Sequence, residues 1–242
     1  MKSSINIPSK KESWKMFDRI ASTYDRINHL LSFGLDRYWR RQLLRLVKKK
    51  GGISLLDGAT GTCDQLIALM ESDLVIDSAV GLDPSINMLA QGKIKIEKKS
   101  YRKKIDLVQG TLEQTPFDSN SFDIISISFG VRNVMNVLDC LEEMYRILKP
   151  SGQLLILEFS LPESRVLKCL YLVYLRYILP FIGKLCSKDP SAYVYLNKTI
   201  EGFPYGNHFC KILKQAGFQK TCYHSLTMGT VNIYEGFKPT DN

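Results

Sequence analysis

The sequence predicts an α/β fold: a doubly wound, mostly parallel sheet of seven strands that closes with an antiparallel hairpin. Two observations carry this expectation. From Ile53 onward, short apolar runs alternate with longer amphipathic stretches, as in a parallel sheet covered by helices on both faces. The ending departs from that alternation. After a helical stretch that stops at Gly217, QKTCYHSL and TVNIYEGFK face each other across Thr227-Met228-Gly229. With 242 residues, 45% of them apolar, the chain is long enough to bury one substantial core.

In chain order, residues 10–50 read as helical with a break near Ser32-Phe33-Gly34. An N-terminal helical segment, 1–50, is therefore expected to cover the active site of a larger domain, 51–242. Apolar runs place strands at 53–57, 78–82, 105–109, 122–128 and 152–159. Helices fill the intervals at 63–71, 85–98, 135–148 and 163–179, and another spans 207–216 before the hairpin. Within 167–179, Leu167, Leu170, Tyr171, Tyr174, Leu175, Ile178 and Leu179 recur at i, i+3 and i+4 spacing. Such a stripe suits core, a subunit contact in a homodimer, or a greasy wall for a ligand.

Lys and Arg number 33 against 24 Asp and Glu, a formal charge of +9. Residues 1–50 hold 13 of the bases and 4 of the acids, so the whole excess lies in the N-terminal fifth. A face of this kind suits water or an anionic membrane, where each Lys or Arg contributes roughly 1 kcal/mol. Nucleic acid is disfavoured, because no recognition motif accompanies the charge. The six cysteines form no CxxC pair and the three histidines do not flank them at zinc spacing, so no metal is expected. Lone reduced thiols suit a cytoplasmic protein. The N-terminal MKSSINIPSKKES lacks the apolar core of a secretory signal. The most apolar stretch, 166–183, is interrupted by Lys168, Arg176 and Pro180 and falls short of the ~18 uncharged residues of a membrane span. A soluble protein, or one peripheral at the inner face of the membrane, is expected.

Ligands of open α/β sheets bind beyond the carboxyl ends of the strands. The first strand ends in Asp57, and its loop, LLDGATGTCD, carries Gly61-Thr62. Glycine lets backbone approach a ligand closely, and the following helix N-terminus favours a carboxylate. The second strand ends GLDPS, which puts Asp83 where an acid accepts both hydroxyls of a ribose. Asp83 could also cap the helix that starts at Pro84, and the two roles are compatible. A dinucleotide site would want G-x-G-x-x-G for its pyrophosphate; this loop has Gly61, then Thr62 and Cys63. The ligand is therefore a nucleoside without phosphates, and S-adenosylmethionine is the cofactor of that description. Thr111 and Leu112 follow the third strand, where the adenine would lie, and Ser128 ends the fourth, near the cofactor's methionine end.

FDRIASTYDRINHLLSFGLDRYWRR, LLDGATGTCD, ISISFGVRNV, EEMYRILKPSGQLLILEFS and QAGF together resemble the menaquinone/ubiquinone-biosynthesis C-methyltransferases, from about Met16 to Lys238. The cofactor loop is common to many methyltransferases, whereas YDRIN, SFGVRNV and LEFS are narrower signatures. The resemblance implies a class I S-adenosylmethionine-dependent fold and methylation of a ring carbon of a polyprenylated quinol. It places cofactor contacts on Thr62, Asp83, Thr111, Leu112 and Ser128. Demethylmenaquinol is the substrate expected; a benzoquinol, another small molecule or RNA, or a non-catalytic assembly role are the competing expectations. Where the family usually has a second loop glycine, this chain has Cys63, which either carries left-handed strain or lines the pocket with its thiol. Arg132 and Asn133, just past the fourth strand, are the candidates to stabilise a quinol oxyanion. Arginine stays protonated and so acts by electrostatics or by orienting a water. Tyr24 and Asp25 are candidates to close over the ring. The polyprenyl substrate also implies transient contact with a membrane surface.

Overall fold

The computed structural model describes residues 9–49, 51–180 and 191–240. Lys2, Lys50, positions 181–183 of the apolar stretch and Cys186 lie outside the described residues. Seven strands form one sheet: β1 (Ile53–Gly58), β2 (Ile76–Asp83), β3 (Ile105–Gln109), β4 (Phe122–Ser128), β5 (Leu148–Phe159), β6 (Gln219–Leu226) and β7 (Val231–Phe237). Their order is β3-β2-β1-β4-β5-β7-β6. The first five run parallel, while β7 is antiparallel to both β5 and β6. Winding reverses between β1 and β4, the switch point at which ligands of such sheets bind. Both strands are buried nearly throughout, which is why they read as continuous apolar runs rather than alternating ones.

The expected strands are present with small shifts at their ends. β5 begins four residues earlier than the apolar run, because Lys149-Pro150-Ser151 carries the chain through a tight irregularity before Gly152. A Cβ on Gly152 would sit 2.7 Å from the Lys149 carbonyl, so only glycine fits there.

On one face of the sheet α6 (Val137–Ile147) and α9 (Asn207–Gln215) bury Leu141, Met144, Phe209 and Leu213. On the other, α3 (Leu35–Arg45) and α4 (Asp64–Met70) bury Trp39, Leu43, Leu66 and Leu69. α5 (Ile86–Ile96) follows β2 and starts at Ser85, whose hydroxyl accepts from the Met88 amide. A third cluster joins α1 (Ser13–Ile20) and α2 (Tyr24–Leu31) to α8 (Ser191–Gly202) and to the helix beginning with α7 (Arg165–Val173).

Two features depart from the sequence reading. The helix expected over 163–179 starts at Arg165 and widens into a π-helical turn at Tyr174–Ile178, a distortion frequent at functional sites. α8 has no sequence forecast at all, since SAYVYLNKTIEG mixes β-branched, aromatic and polar residues with weak helix preference. Its Tyr195 and Ile200 are buried against the third cluster, and tertiary packing holds it helical.

Candidate active site

The loop after β1 is wound left-handed at three residues, Ala59 (φ 50°), Gly61 (φ 54°) and Cys63 (φ 67°). Beneath it lies Asp57, wholly buried, accepting hydrogen bonds from Thr60 Oγ1 at 2.6 Å and from Ser126. Burial pushes this carboxyl up to about 6. Asp57 thus braces the loop from below and does not line a cavity. Thr62 is also buried and turned away; its hydroxyl donates to Asp25 on α2 at 2.5 Å. The Cys63 thiol points down against α5, not into the pocket, and burial pushes it up to about 12. Room for it comes from Gly92: a Cβ there would fall 2.2 Å from the sulfur.

Asp83 ends β2. Its Oδ2 accepts from the Gly61 amide at 2.8 Å and its Oδ1 from the Ser85 amide at 2.9 Å. The helix cap is therefore Ser85, and Asp83 ties loop to loop. It is 8% exposed, lines the cavity above, and burial pushes its carboxyl up to about 6. Each oxygen keeps a lone pair that backbone does not fill.

That cavity, about 420 Å³, is also lined by Gly61, Thr111, Leu112, Ser128 and Asn133. Leu112 is buried and fits because Gly58 lacks a side chain; a Cβ there would meet it at 2.6 Å. Ser128 donates to Gln65 Oε1 at 3.3 Å. The cavity fits a phosphate-free, cationic nucleoside. Asn133 Oδ1 is buried without a hydrogen-bond partner, an acceptor suited to an ammonium group. A Cβ on Gly61 would meet nothing within 4 Å, so that backbone faces open space. Asp83, Glu113 and Asp139 in its wall outnumber Lys10 and Lys11, a balance that favours a cation over a pyrophosphate.

A second cavity, about 290 Å³, adjoins the first through Phe17, Tyr24 and Phe129, which line both. Its wall is mainly aromatic and aliphatic, with Trp39, Phe159, Tyr171, Tyr174 and Tyr195. Arg132 belongs to this second cavity and Asn133 to the first: the 3₁₀ turn Val131–Asn133 sends successive side chains to different chambers.

Arg132 is 4% exposed and ion-paired. Its Nη1 donates to Glu158 Oε1 at 2.8 Å and to the Phe129 carbonyl, and its amide donates to Glu158 Oε2 at 3.2 Å. The guanidinium lies over the Phe159 ring, 5.3 Å from its centroid. A charge so held cannot swing away, and its Nε has no partner. Tyr24 sits at the junction; burial raises its phenol, while the nearby Arg132 lowers it. It stays protonated at neutral pH and can donate. Asp25 does not reach the cavities. It binds Thr62 and Lys95 (2.6 Å), and so fastens α2 to the cofactor loop and α5.

Two polar residues escape sequence reading, Glu158 behind the chamber wall as the partner of Arg132, and Arg40 in the wall itself. Glu158 is the single acid of β5 and directly follows the apolar run Leu154–Leu157, and that incongruity is the signal that could have found it. Arg40 lines the chamber with a buried Nε that lacks a partner. In the sequence it is one base in a basic run, indistinguishable from Arg37 or Arg41.

The chain is similar to known methyltransferases along nearly its whole length. The chain is 42% identical over 224 residues to a Geotalea daltonii ubiquinone/menaquinone biosynthesis C-methyltransferase, covering 93% of this chain and 95% of that protein. It is 38% identical over 224 residues to a Bacteroides fragilis demethylmenaquinone methyltransferase, covering 93% and 91%. Among solved structures, a possible histamine N-methyltransferase from Thermotoga maritima superposes with a TM-score of 0.64 at 18% identity, over 93% of this chain and 99% of that one. A Haemonchus contortus phosphoethanolamine N-methyltransferase, solved with S-adenosyl-L-methionine, gives 0.68 at 16%, over 97% and 61%. These place the fold among S-adenosylmethionine-dependent methyltransferases. The family model matches residues 7–238, and the chain belongs to the ubiE/COQ5 methyltransferase family.

Proposed function

We propose that the protein methylates a ring carbon of a polyprenylated quinol, with demethylmenaquinol as substrate, using S-adenosylmethionine. The observation that carries this reading is the junction at Tyr24, where a nucleoside-sized cavity with Asp83 in its wall meets an aromatic chamber holding the fixed guanidinium of Arg132. A flat, apolar ring with two oxygens suits that chamber. RNA suits it less, because the wall is mainly aromatic and aliphatic and forms no run of bases to track a phosphate backbone.

When bound, the cofactor supplies an electrophilic methyl on a sulfonium. Every other requirement falls on the protein. Loss of a quinol hydroxyl proton to water would move electron density to the adjacent ring carbon, the nucleophile for that methyl; water would then carry the ring C–H proton back to the oxygen, restoring aromaticity and the hydroxyl. Arg132 stabilises the oxyanion without taking its proton, since guanidinium remains charged. Its pairing with Glu158 fixes its direction. Tyr24 donates a hydrogen bond from the junction. Asp83 would hold the ribose, Leu112 and Thr111 would bound the adenine, and Asn133 would receive the amino-acid tail. Asp57 and Thr62 act one layer back, holding the loop in shape. Residues 1–50 serve as the cover of the 51–242 domain, since α1 and α2 roof both cavities.

A polyprenyl tail keeps the substrate in the bilayer at ~0.8 kcal/mol per buried CH₂, so the enzyme works at the membrane surface. Among the described residues no helix is long and apolar enough to cross a membrane. The test is a substrate panel with methyl-labelled cofactor: short-chain demethylmenaquinol, the matching benzoquinol, and RNA. Label is expected in the naphthoquinol product. Label in RNA alone, or in no product despite cofactor binding, overturns the reading.

A further inference from the structure

The helix that walls the aromatic chamber has a second face. Tyr171, Tyr174 and Leu175 point inward to the cavity, while Val166, Leu170, Val173 and Tyr177 point outward at helical spacing. Leu170 is 63% exposed and Tyr177 71%. This outward row is the reverse side of the expected stripe, in which Leu170 was grouped with the inward tyrosines. Beside it stands Phe33 in the turn between α2 and α3, 77% exposed, its ring 6.3 Å from that of Tyr174. Phe33 and the partly exposed Leu35 also line the aromatic cavity, so the chamber reaches the surface at the edge of this apolar row.

Charge adjoins it. Arg37 and Arg41 lie on the exposed side of α3, directly after the Phe33 turn, and form no ion pair among the described residues. Arg165 is exposed at the start of α7. Helices with large apolar side chains on one side and bases along the margin lie flat in an anionic bilayer surface. We propose that the outward face of residues 165–178, with the Phe33 turn, is the surface by which the protein docks on an anionic lipid bilayer, presenting the chamber mouth to the membrane. The proposal rests on the quinol reading above and adds to it the face, the orientation and the route: the tail stays in lipid while the ring enters beside Phe33. Apolar contact supplies a salt-insensitive part of the binding, and the arginines a part that falls with ionic strength.

The test uses the full chain, sedimented with vesicles of phosphatidylglycerol and phosphatidylethanolamine or of phosphatidylcholine alone. Wild type is expected to bind the anionic vesicles and to lose part of that binding at high salt. Leu170→Glu with Tyr177→Glu, both exposed and outside the cavity, should weaken binding at least tenfold. Arg37→Glu with Arg41→Glu should remove the salt-sensitive part. Methylation of a water-soluble short-chain quinol should stay within twofold of wild type in both variants, while turnover of vesicle-embedded substrate falls. Unchanged vesicle binding in the Leu170/Tyr177 variant overturns the proposal. So does a wild-type dimer that this variant converts to monomer, which would make the face a contact between two copies. If the short-chain quinol is not methylated by wild type, the quinol reading fails, whatever the vesicles show.

Discussion

Asp83 holds two backbone amides with its two oxygens, and its remaining lone pairs face the cofactor cavity. Asp83→Ala should raise the S-adenosylmethionine dissociation constant at least tenfold, ~1.4 kcal/mol, by calorimetry with the circular-dichroism spectrum unchanged; unaltered affinity would leave Asp83 a loop tie only. Its carboxyl is raised to about 6, chiefly by burial, with neighbouring Asp57 adding to the rise. The ionised form is the better acceptor of ribose hydroxyls. Affinity should therefore hold above pH 7 and weaken as pH falls through about 6, and Asp83→Asn should flatten that dependence. At Arg132 the expectation is reversed. Arg132→Lys keeps the charge but loses the planar guanidinium whose Nη1 donates to both Glu158 and the Phe129 carbonyl. It should lower kcat at least tenfold while cofactor affinity changes less than twofold, and equal losses in both would make the pair purely structural. Asp83, Gly61 and Ser128 are legible in the sequence because each ends an apolar run or follows one closely; Asn133 reads there as an oxyanion partner beside Arg132, whereas its side chain lines the cofactor cavity instead. Glu158 is not legible as the partner of Arg132, since no periodic signal links positions 26 apart.

Elements meet at the cofactor loop with little tolerance. Cys63 takes the left-handed conformation that glycine adopts freely, and its sulfur fills the notch left by Gly92 in α5. Gly92→Ala should destabilise the protein by about 1–3 kcal/mol through overpacking, measured by urea unfolding. In a Cys63→Gly background the same change should cost at most half as much, because the atom it strikes is gone; additive costs would refute the packing account. The roof is tied down by carboxylates. Asp18 on α1 accepts from the Ser85 hydroxyl at 2.7 Å and from the Asn87 amide at 3.0 Å, at the start of α5. Asp18→Ala should speed amide hydrogen exchange in residues 13–31 while the sheet stays protected; exchange rising equally throughout would show global rather than local opening. The alternation of strands and helices is legible because its periods are local. The π turn at Tyr174 and the helix at 191–202 are not, since both depend on packing between segments distant in sequence.

At the scale of the whole molecule, the sheet supplies one half of the site and the helical roof the other. The first half follows from topology: a switch point between β1 and β4 puts four strand ends around one cavity. The second half gathers Phe17, Trp39, Tyr174 and Tyr195 from four separate helices into one chamber. No spacing rule links those four aromatics, so their meeting is visible only in three dimensions. The basic excess of residues 1–50 is legible as a number, but its placement beside an apolar face is not. All of this converges on transfer of a methyl group to carbon at the junction of the two cavities. The most direct measurement follows that atom: protein, ¹³C-methyl-labelled S-adenosylmethionine and short-chain demethylmenaquinol, with the product examined by carbon NMR. The label is expected on the ring carbon of the naphthoquinol, and to disappear with Arg132→Lys in proportion to kcat. Label on a quinol oxygen, or none while the cofactor binds normally, would contradict the account.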